Sequence, residues 1–211
     1  TLDVFPSYSK DGVRIEFFGD TIESLRRIDP LTGKTLQAFD HTTISPAKHF
    51  VMPAEKLLPA IARIEAEMEA RVAELERENK LLEAQRLRMR TTYDMEMLRE
   101  VGYCSGIENY SGPLSGRPRG SRPYTLMDFF PEGFLTVIDE SHVTLPQVRG
   151  MFNGDQARKR TLVEHGFRLP SALDNRPMSY DEFMGVAGQL LFTSATPGPL
   201  ETALAGEPVR Q

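Results

Sequence analysis

Phe134-Leu-Thr-Val-Ile-Asp-Glu-Ser-His142 joins a short apolar, β-branched run to two adjacent carboxylates. A run of this kind predicts a parallel strand covered on both faces, and such strands present ligand-binding groups at their carboxyl ends. Asp139 and Glu140 stand at that end. A plain strand-to-loop transition also sets two solvated acids side by side, so the pair gains meaning only with a second element. Gln189-Leu-Leu-Phe-Thr-Ser-Ala-Thr196 supplies one: another apolar strand, ending in residues whose hydroxyls, Ser194 and Thr196, point toward the first acidic tip. The fold class that follows is α/β.

The amino-terminal part has a different period. Val13-Arg-Ile-Glu-Phe-Phe18 alternates, placing Val13, Ile15 and Phe17 on one face and Arg14 and Glu16 on the other. Gly19-Asp20 and Asp29-Pro-Leu-Thr-Gly33 have turn chemistry, so Ile22 to Ile28 and Lys34 to Asp40 complete a small antiparallel meander. Its arginines, Arg14, Arg26 and Arg27, read as solvated strand positions or as a docking face. A domain boundary is expected near residue 48, dividing 1–48 from 49–211, because a helical period follows Ser45-Pro46. Leu57, Ile61, Ile64, Met68, Val72 and Leu75 form one helical stripe, and a second helix after Glu78-Asn79-Lys80 carries Leu82, Met89, Tyr93 and Met97. The two predict a helical hairpin whose stripe covers a sheet. Pro59 marks either the start of the first helix or a kink in it.

Residues 102–123 read as a long loop, in which Tyr103 and Tyr110 either stack on unpaired bases or anchor the loop by burial. Leu145 to Gly154 suggests a turn leading to a basic helix start at Arg158, Lys159 and Arg160, a place for phosphate contacts or a solvated face. The net charge of −5 excludes a global basic field, so DNA contact must be local. One cysteine, Cys104, excludes an internal disulfide framework and fits a reducing cytoplasm, and the four histidines lack metal-ligand spacing. No apolar run approaches the roughly 20 residues that span a bilayer. The start, Thr1-Leu-Asp-Val-Phe-Pro6, has neither an initiator methionine nor a signal-peptide pattern, and reads as part of a longer chain.

Asp139-Glu-Ser-His142 resembles the Asp-Glu-x-His form of the Walker B element in superfamily 2 helicase-like ATPases, and Ser194-Ala-Thr196 resembles that superfamily's motif III. Longer stretches narrow the resemblance. Val13-Arg-Ile-Glu-Phe-Phe-Gly-Asp20, Tyr103-Cys-Ser-Gly-Ile-Glu-Asn-Tyr-Ser111, Asp139 through Gly150, Phe167 through Pro177 and Thr193-Ser-Ala-Thr-Pro-Gly198 are similar to the UvrB family of bacterial nucleotide excision repair. The resemblance implies the later part of a UvrA-interaction β domain over 1–48. It implies part of the first RecA-like ATPase domain over 49–211, with insertions near 102–123 and 145–188. It also implies ATP and Mg²⁺ as cofactors. Asp139 would hold the metal through water, Glu140 would polarise the attacking water, and His142, Ser194 and Thr196 would couple nucleotide state to movement. Tyr103, Glu108, Tyr110, Arg158 and Lys159 would contact DNA or brace a DNA-inserting hairpin. Implied partners are UvrA, UvrC and damaged double-stranded DNA. The family's phosphate-gripping loop, hairpin and second RecA-like domain have no counterpart in these 211 residues, so the chain alone is expected not to hydrolyse ATP. The rival is a non-catalytic UvrA-docking scaffold like that of the transcription-repair coupling factor.

Overall fold

Period-two alternation and turn chemistry build the first of two units. The computed structural model describes residues 1–47 and 50–205 and divides into Thr1–Val51 and Met52–Gln211. The boundary expected near residue 48 falls at 48–49, outside the described residues. In the first unit β1 (Leu2–Val4), β2 (Gly12–Phe18), β3 (Thr21–Ile28) and β4 (Thr35–Phe39) form an antiparallel sheet in chain order. Gly19, at φ 61°, makes the two-residue turn between β2 and β3, a conformation glycine adopts without steric cost. Asp29 builds the next turn by accepting the N–H groups of Leu31 and Thr32 at 3.0 and 2.7 Å. The expected meander is therefore present, and β1 at the start of the chain joins it as a fourth strand. Phe17 departs from the alternation: the register slips between Glu16 and Phe17, and the ring is 43% exposed. A bulge of this kind turns the following side chains off their face.

Asp3, Arg14, Arg26 and Ala38 lie side by side across the four strands. Arg14 grips Asp3 through two bonds of 2.8 and 2.7 Å, and Arg26 reaches Glu16 at 3.0 Å. The arginines are thus fixed in place on one polar face by acids in the adjacent strands.

In the second unit, α1 (Ala54–Arg77) and α2 (Leu81–Val101) form the predicted hairpin. All six residues of the α1 stripe are buried. α1 starts at Ala54 and runs through Pro59. Its end is a Schellman turn: Asn79 takes φ 58°, its N–H donates to the Glu76 carbonyl, and the Lys80 N–H donates to that of Leu75. The stripe packs on α2 and α3 (Ser111–Ser115), where the sequence suggested a sheet. α2 shows the opposite face to that expected. Leu82, Met89 and Tyr93 are exposed, and the buried side consists of Ala84, Leu87, Thr91, Asp94, Met95 and Leu98. Two polar groups in that seam hide it from an apolar period.

β5 (Leu135–Ile138) and β6 (Gln189–Phe192) pair in parallel, Leu135 opposite Gln189 and Ile138 opposite Phe192. Only one face is covered. Ile138 is buried, but Leu135, Val137 and Leu191 are 57, 55 and 49% exposed, which corrects the expectation of burial on both faces. α4 (Ser141–Glu164) then runs unbroken through Pro146, Gly150 and Gly154, replacing the expected turn and later helix start. Those three residues are exposed, while Ser141, Leu145, Gln156, Lys159 and Val163 are buried at helical spacing. The breakers cost helix stability but lie off the packing face.

α5 (Tyr180–Val186) is held by a capping box between Ser179 and Glu182. Glu182 also takes two bonds from Arg176 at 2.7 and 2.9 Å. The guanidinium, with the Ser179 N–H, lowers the Glu182 carboxyl from 4.5 to about 2. A depressed acid stabilises the fold fully above its unfolded value and loses that contribution as pH falls toward its folded value. Glu182→Gln should therefore cost about 1–2 kcal/mol at pH 7, as loss of the charge-assisted bonds to Arg176 does, because glutamine keeps the capping acceptor. The gap to wild type should close between pH 4.5 and 2, as followed by urea midpoints across that range.

Candidate functional site

The parallel register of β5 and β6 brings the two strand ends together. One step past Ile138 and Phe192 stand Asp139 and Thr193, and the Thr193 hydroxyl donates to Asp139 Oδ1 at 2.7 Å. The Glu140 N–H donates to the same oxygen at 3.0 Å. Backbone bonds extend the ladder across the turn, Thr193 N–H to the Ile138 carbonyl and Ser141 N–H to the Thr193 carbonyl, at 3.0 and 3.1 Å. Glu140 is the pivot between β5 and α4. It takes the left-handed conformation, φ 45° and ψ 47°, which costs a non-glycine residue about 1–2 kcal/mol. The reversal sets the α4 N-terminus beside both acids. Ser194 Oγ meets His142 Nδ1 at 2.8 Å, and His142 lies 3.4 Å from Glu140 Oε2.

Behind this line, Ser141 is fully buried and donates to Glu201 Oε1 at 2.9 Å. Burial works against the Glu201 charge, yet backbone N–H groups and the Ser141 hydroxyl outweigh it and hold the carboxyl below its usual range. Glu201 thereby ties α6 (Pro199–Ala205) to the first turn of α4. Asp139 is exposed and its bonds fall on Oδ1. Among the described residues no group of three or more His, Cys, Asp or Glu side chains can hold a metal. The exposed Asp139 carboxylate, with no bond on Oδ2 from the described residues, fits a hydrated Mg²⁺, which proteins hold through one or two carboxylates.

The UvrB interaction domain family matches residues 1–50, and the UvrB third helical domain family matches residues 55–116. UvrABC system protein B of Methanothermobacter thermautotrophicus is 58% identical over all 211 residues, which make up 33% of that protein. The proteins of the same name from Bacillus caldotenax and Thermobifida fusca are each 59% identical, over 95 and 98% of this chain and 30 and 29% of their own length. The chain belongs to the UvrB family. It spans about a third of the length of these curated relatives.

Placed in the UvrB-family chain, the remaining candidate residues separate. Glu108 is exposed and Tyr103 is half-buried. Tyr110 is buried, and its hydroxyl donates to Asp94 Oδ2 at 2.7 Å, so its ring anchors the loop and is not available to stack on a base. Arg158 is exposed and pairs with Asp155 at 3.2 Å. Lys159 is turned inward, bonded to Asp155 and to the Asn175 carbonyl, which removes it from any DNA surface. Thr196 does not reach the acids: its N–H donates to Ser194 Oγ at 3.1 Å. Thr193 and Glu201 were not anticipated. Thr193 was legible from the register alone, whereas nothing local in the sequence marks Glu201 as buried. Arg86, Arg88 and Arg90 go separate ways, to the His165 carbonyl, to Glu69 and to Asp94.

Proposed function

We propose that this UvrB-family chain serves bacterial nucleotide excision repair, contributing the acidic half of an ATPase site and a docking face for UvrA. The reading rests on one observation, the contact of Asp139 with Thr193 and of His142 with Ser194 across two parallel strand ends. Asp139 would hold Mg²⁺, which when bound would supply charge neutralisation at the ATP phosphates. Glu140, exposed and held at the mouth of the site by its left-handed backbone, polarises the attacking water. The Ser194–His142 bond carries a change at the acids into the β6 segment, and Glu201 passes it on to α6. UvrA docks on the polar face of the β sheet, where Arg14 and Arg26 are fixed by neighbouring acids. Damaged double-stranded DNA is the substrate, UvrC the later partner and the cytoplasm the place of work. No described helix is long and apolar enough to cross a membrane.

The test is ATP hydrolysis by the full-length protein with UvrA and damaged duplex, comparing wild type with Glu140→Ala. Turnover should fall about a hundredfold, the loss expected when a water-positioning acid is removed. An unchanged rate would assign the turnover to the partner and leave this chain as a non-catalytic UvrA-docking scaffold, of the kind found in the transcription-repair coupling factor.

A further inference from the structure

A cavity of about 450 Å³ lies in the helical unit, well apart in sequence from the strand-end acids. Its walls come from α1, from α3 with the loop after it, and from the turn Pro170–Asp174. Three guanidiniums, Arg63, Arg117 and Arg119, line it together with two carboxylates, Glu67 and Asp174, so the lining carries one net positive charge.

Two of the three guanidiniums, Arg63 and Arg117, bond to groups other than the carboxylates. Arg63 donates to the Pro113 carbonyl at 2.8 Å, and Arg117 donates to Ser115 Oγ, Ser111 Oγ and the Ser121 carbonyl at 2.8, 3.2 and 3.2 Å. All of these acceptors are neutral. The carboxylates are occupied by backbone: Glu67 Oε1 accepts the Ser171 N–H at 2.7 Å, and Asp174 Oδ1 accepts the Gly120 N–H at 3.0 Å. Arg119, with its side chain 69% exposed at the rim, approaches Glu67 only to 3.7 Å. Burial lowers the Arg117 pKa, against the pull of Asp174.

Ser171 adds an independent sign. It is 2% exposed, it lines the cavity, and its Oγ is buried with no hydrogen-bond partner. Buried hydroxyls are almost always satisfied, and one left without a partner beside three guanidiniums is a donor awaiting an acceptor.

We infer that this cavity binds one backbone phosphate of a single-stranded nucleic acid, with Arg119 and Arg117 on its anionic oxygens and the Ser171 hydroxyl donating to it. A phosphodiester carries one negative charge and matches the single net positive charge, whereas a phosphate monoester carries nearly two. The volume falls within the range of small-ligand sites, about 300–1,000 Å³, so one nucleotide fits. A concave site of this size admits a flexible strand and not the convex, regularly spaced phosphates of a duplex. The inference stands apart from the ATPase reading, because none of these residues contacts the strand-end acids.

The experiment is fluorescence anisotropy of a labelled ten-nucleotide thymidine strand titrated with the chain, across a salt series. Arg119→Gln should weaken binding about three- to tenfold and flatten the salt slope by about one, as loss of one phosphate contact does. Ser171→Ala should weaken binding by a similar factor, about three- to tenfold, through loss of a hydrogen bond to a charged acceptor. Arg88→Gln, at a guanidinium paired with Glu69 and outside the cavity lining, should bind as wild type does. Circular dichroism midpoints confirm folding, and Arg119 is exposed enough that its replacement leaves the fold intact. Absence of wild-type binding, or equal affinity in all three variants, overturns the proposal. So does displacement of the strand by inorganic phosphate at concentrations below those of the dinucleotide TpT, which would mark a free-anion site. Failure of Glu140→Ala to lower ATP turnover would leave this result untouched, so the two readings fail separately.

Discussion

Asp94→Ala is expected to destabilise the helical unit by about 3–4 kcal/mol, more than any surface substitution in it. Asp94 lies on the buried face of α2, 2% exposed, with Oδ2 accepting the Tyr110 hydroxyl at 2.7 Å and Arg90 Nε at 2.9 Å. Arg90 reaches onward to the Ser105 carbonyl at 2.8 Å, so one carboxylate pins both ends of the segment 105–110 to the helix. Burial, and then the Asp94 charge, push the Tyr110 phenol well above its ordinary value, which keeps it a neutral donor at all physiological pH.

Removing the carboxylate strands a buried hydroxyl, frees a cation from its counter-charge and opens a small cavity. Arg90 is 40% exposed and can turn to water, so most of the loss falls on the tyrosine. Tyr110→Phe should accordingly cost only about 1–2 kcal/mol, because Asp94 keeps Arg90. Asp94→Asn should fall between the two. Urea denaturation followed by far-ultraviolet circular dichroism measures all three. A cost below about 1 kcal/mol for Asp94→Ala would show that the network contributes specificity and not stability.

The same network explains what could be read from the residues and what could not. Apolar period located α1 correctly, because its core face is made of Leu, Ile, Met and Val. It chose the wrong face of α2, because Leu82, Met89 and Tyr93 make a strong outer stripe while the true seam contains Thr91 and Asp94. Those two residues read as surface until Tyr110, 16 positions beyond Asp94, is seen to arrive as partner. In α4 the error ran the other way. Pro146, Gly150 and Gly154 carry turn signals, but a helix tolerates breakers on its solvent side when its inner stripe is well packed. At the strand ends the acidic tip was legible as the end of an apolar run. Of the hydroxyls expected at that tip, Ser194 meets His142 and Thr196 lies away from the acids, while Thr193, the residue next to the end of β6, supplies the contact to Asp139.

Gly188→Ala should cost about 2–5 kcal/mol and disturb the acidic site as well as the fold. Gly188 holds φ +65°, a conformation that costs an alanine about 1–2 kcal/mol. The larger obstacle is steric, since an added Cβ would lie 2.4 Å from the Phe134 carbonyl oxygen, a backbone atom that cannot rotate away. That oxygen accepts the Gln189 N–H at 3.1 Å and so opens the β5–β6 ladder. Thr136 Oγ1 donates to the Ala187 carbonyl at 2.5 Å from the adjoining position, so both strands are fastened at this point. Relief of the clash requires β5 to move from β6, and five residues later the same displacement separates Asp139 from Thr193. The expected result is a lower urea midpoint together with reduced ATP turnover in the full-length protein. Thr193→Val, which removes the hydroxyl without crowding the ladder, should lower turnover while leaving the midpoint within about 1 kcal/mol of wild type. A Gly188→Ala protein of wild-type stability would mean that the strand pair slides freely. The hydroxyl contact at its end would then be a consequence of packing and not a constraint on the acids.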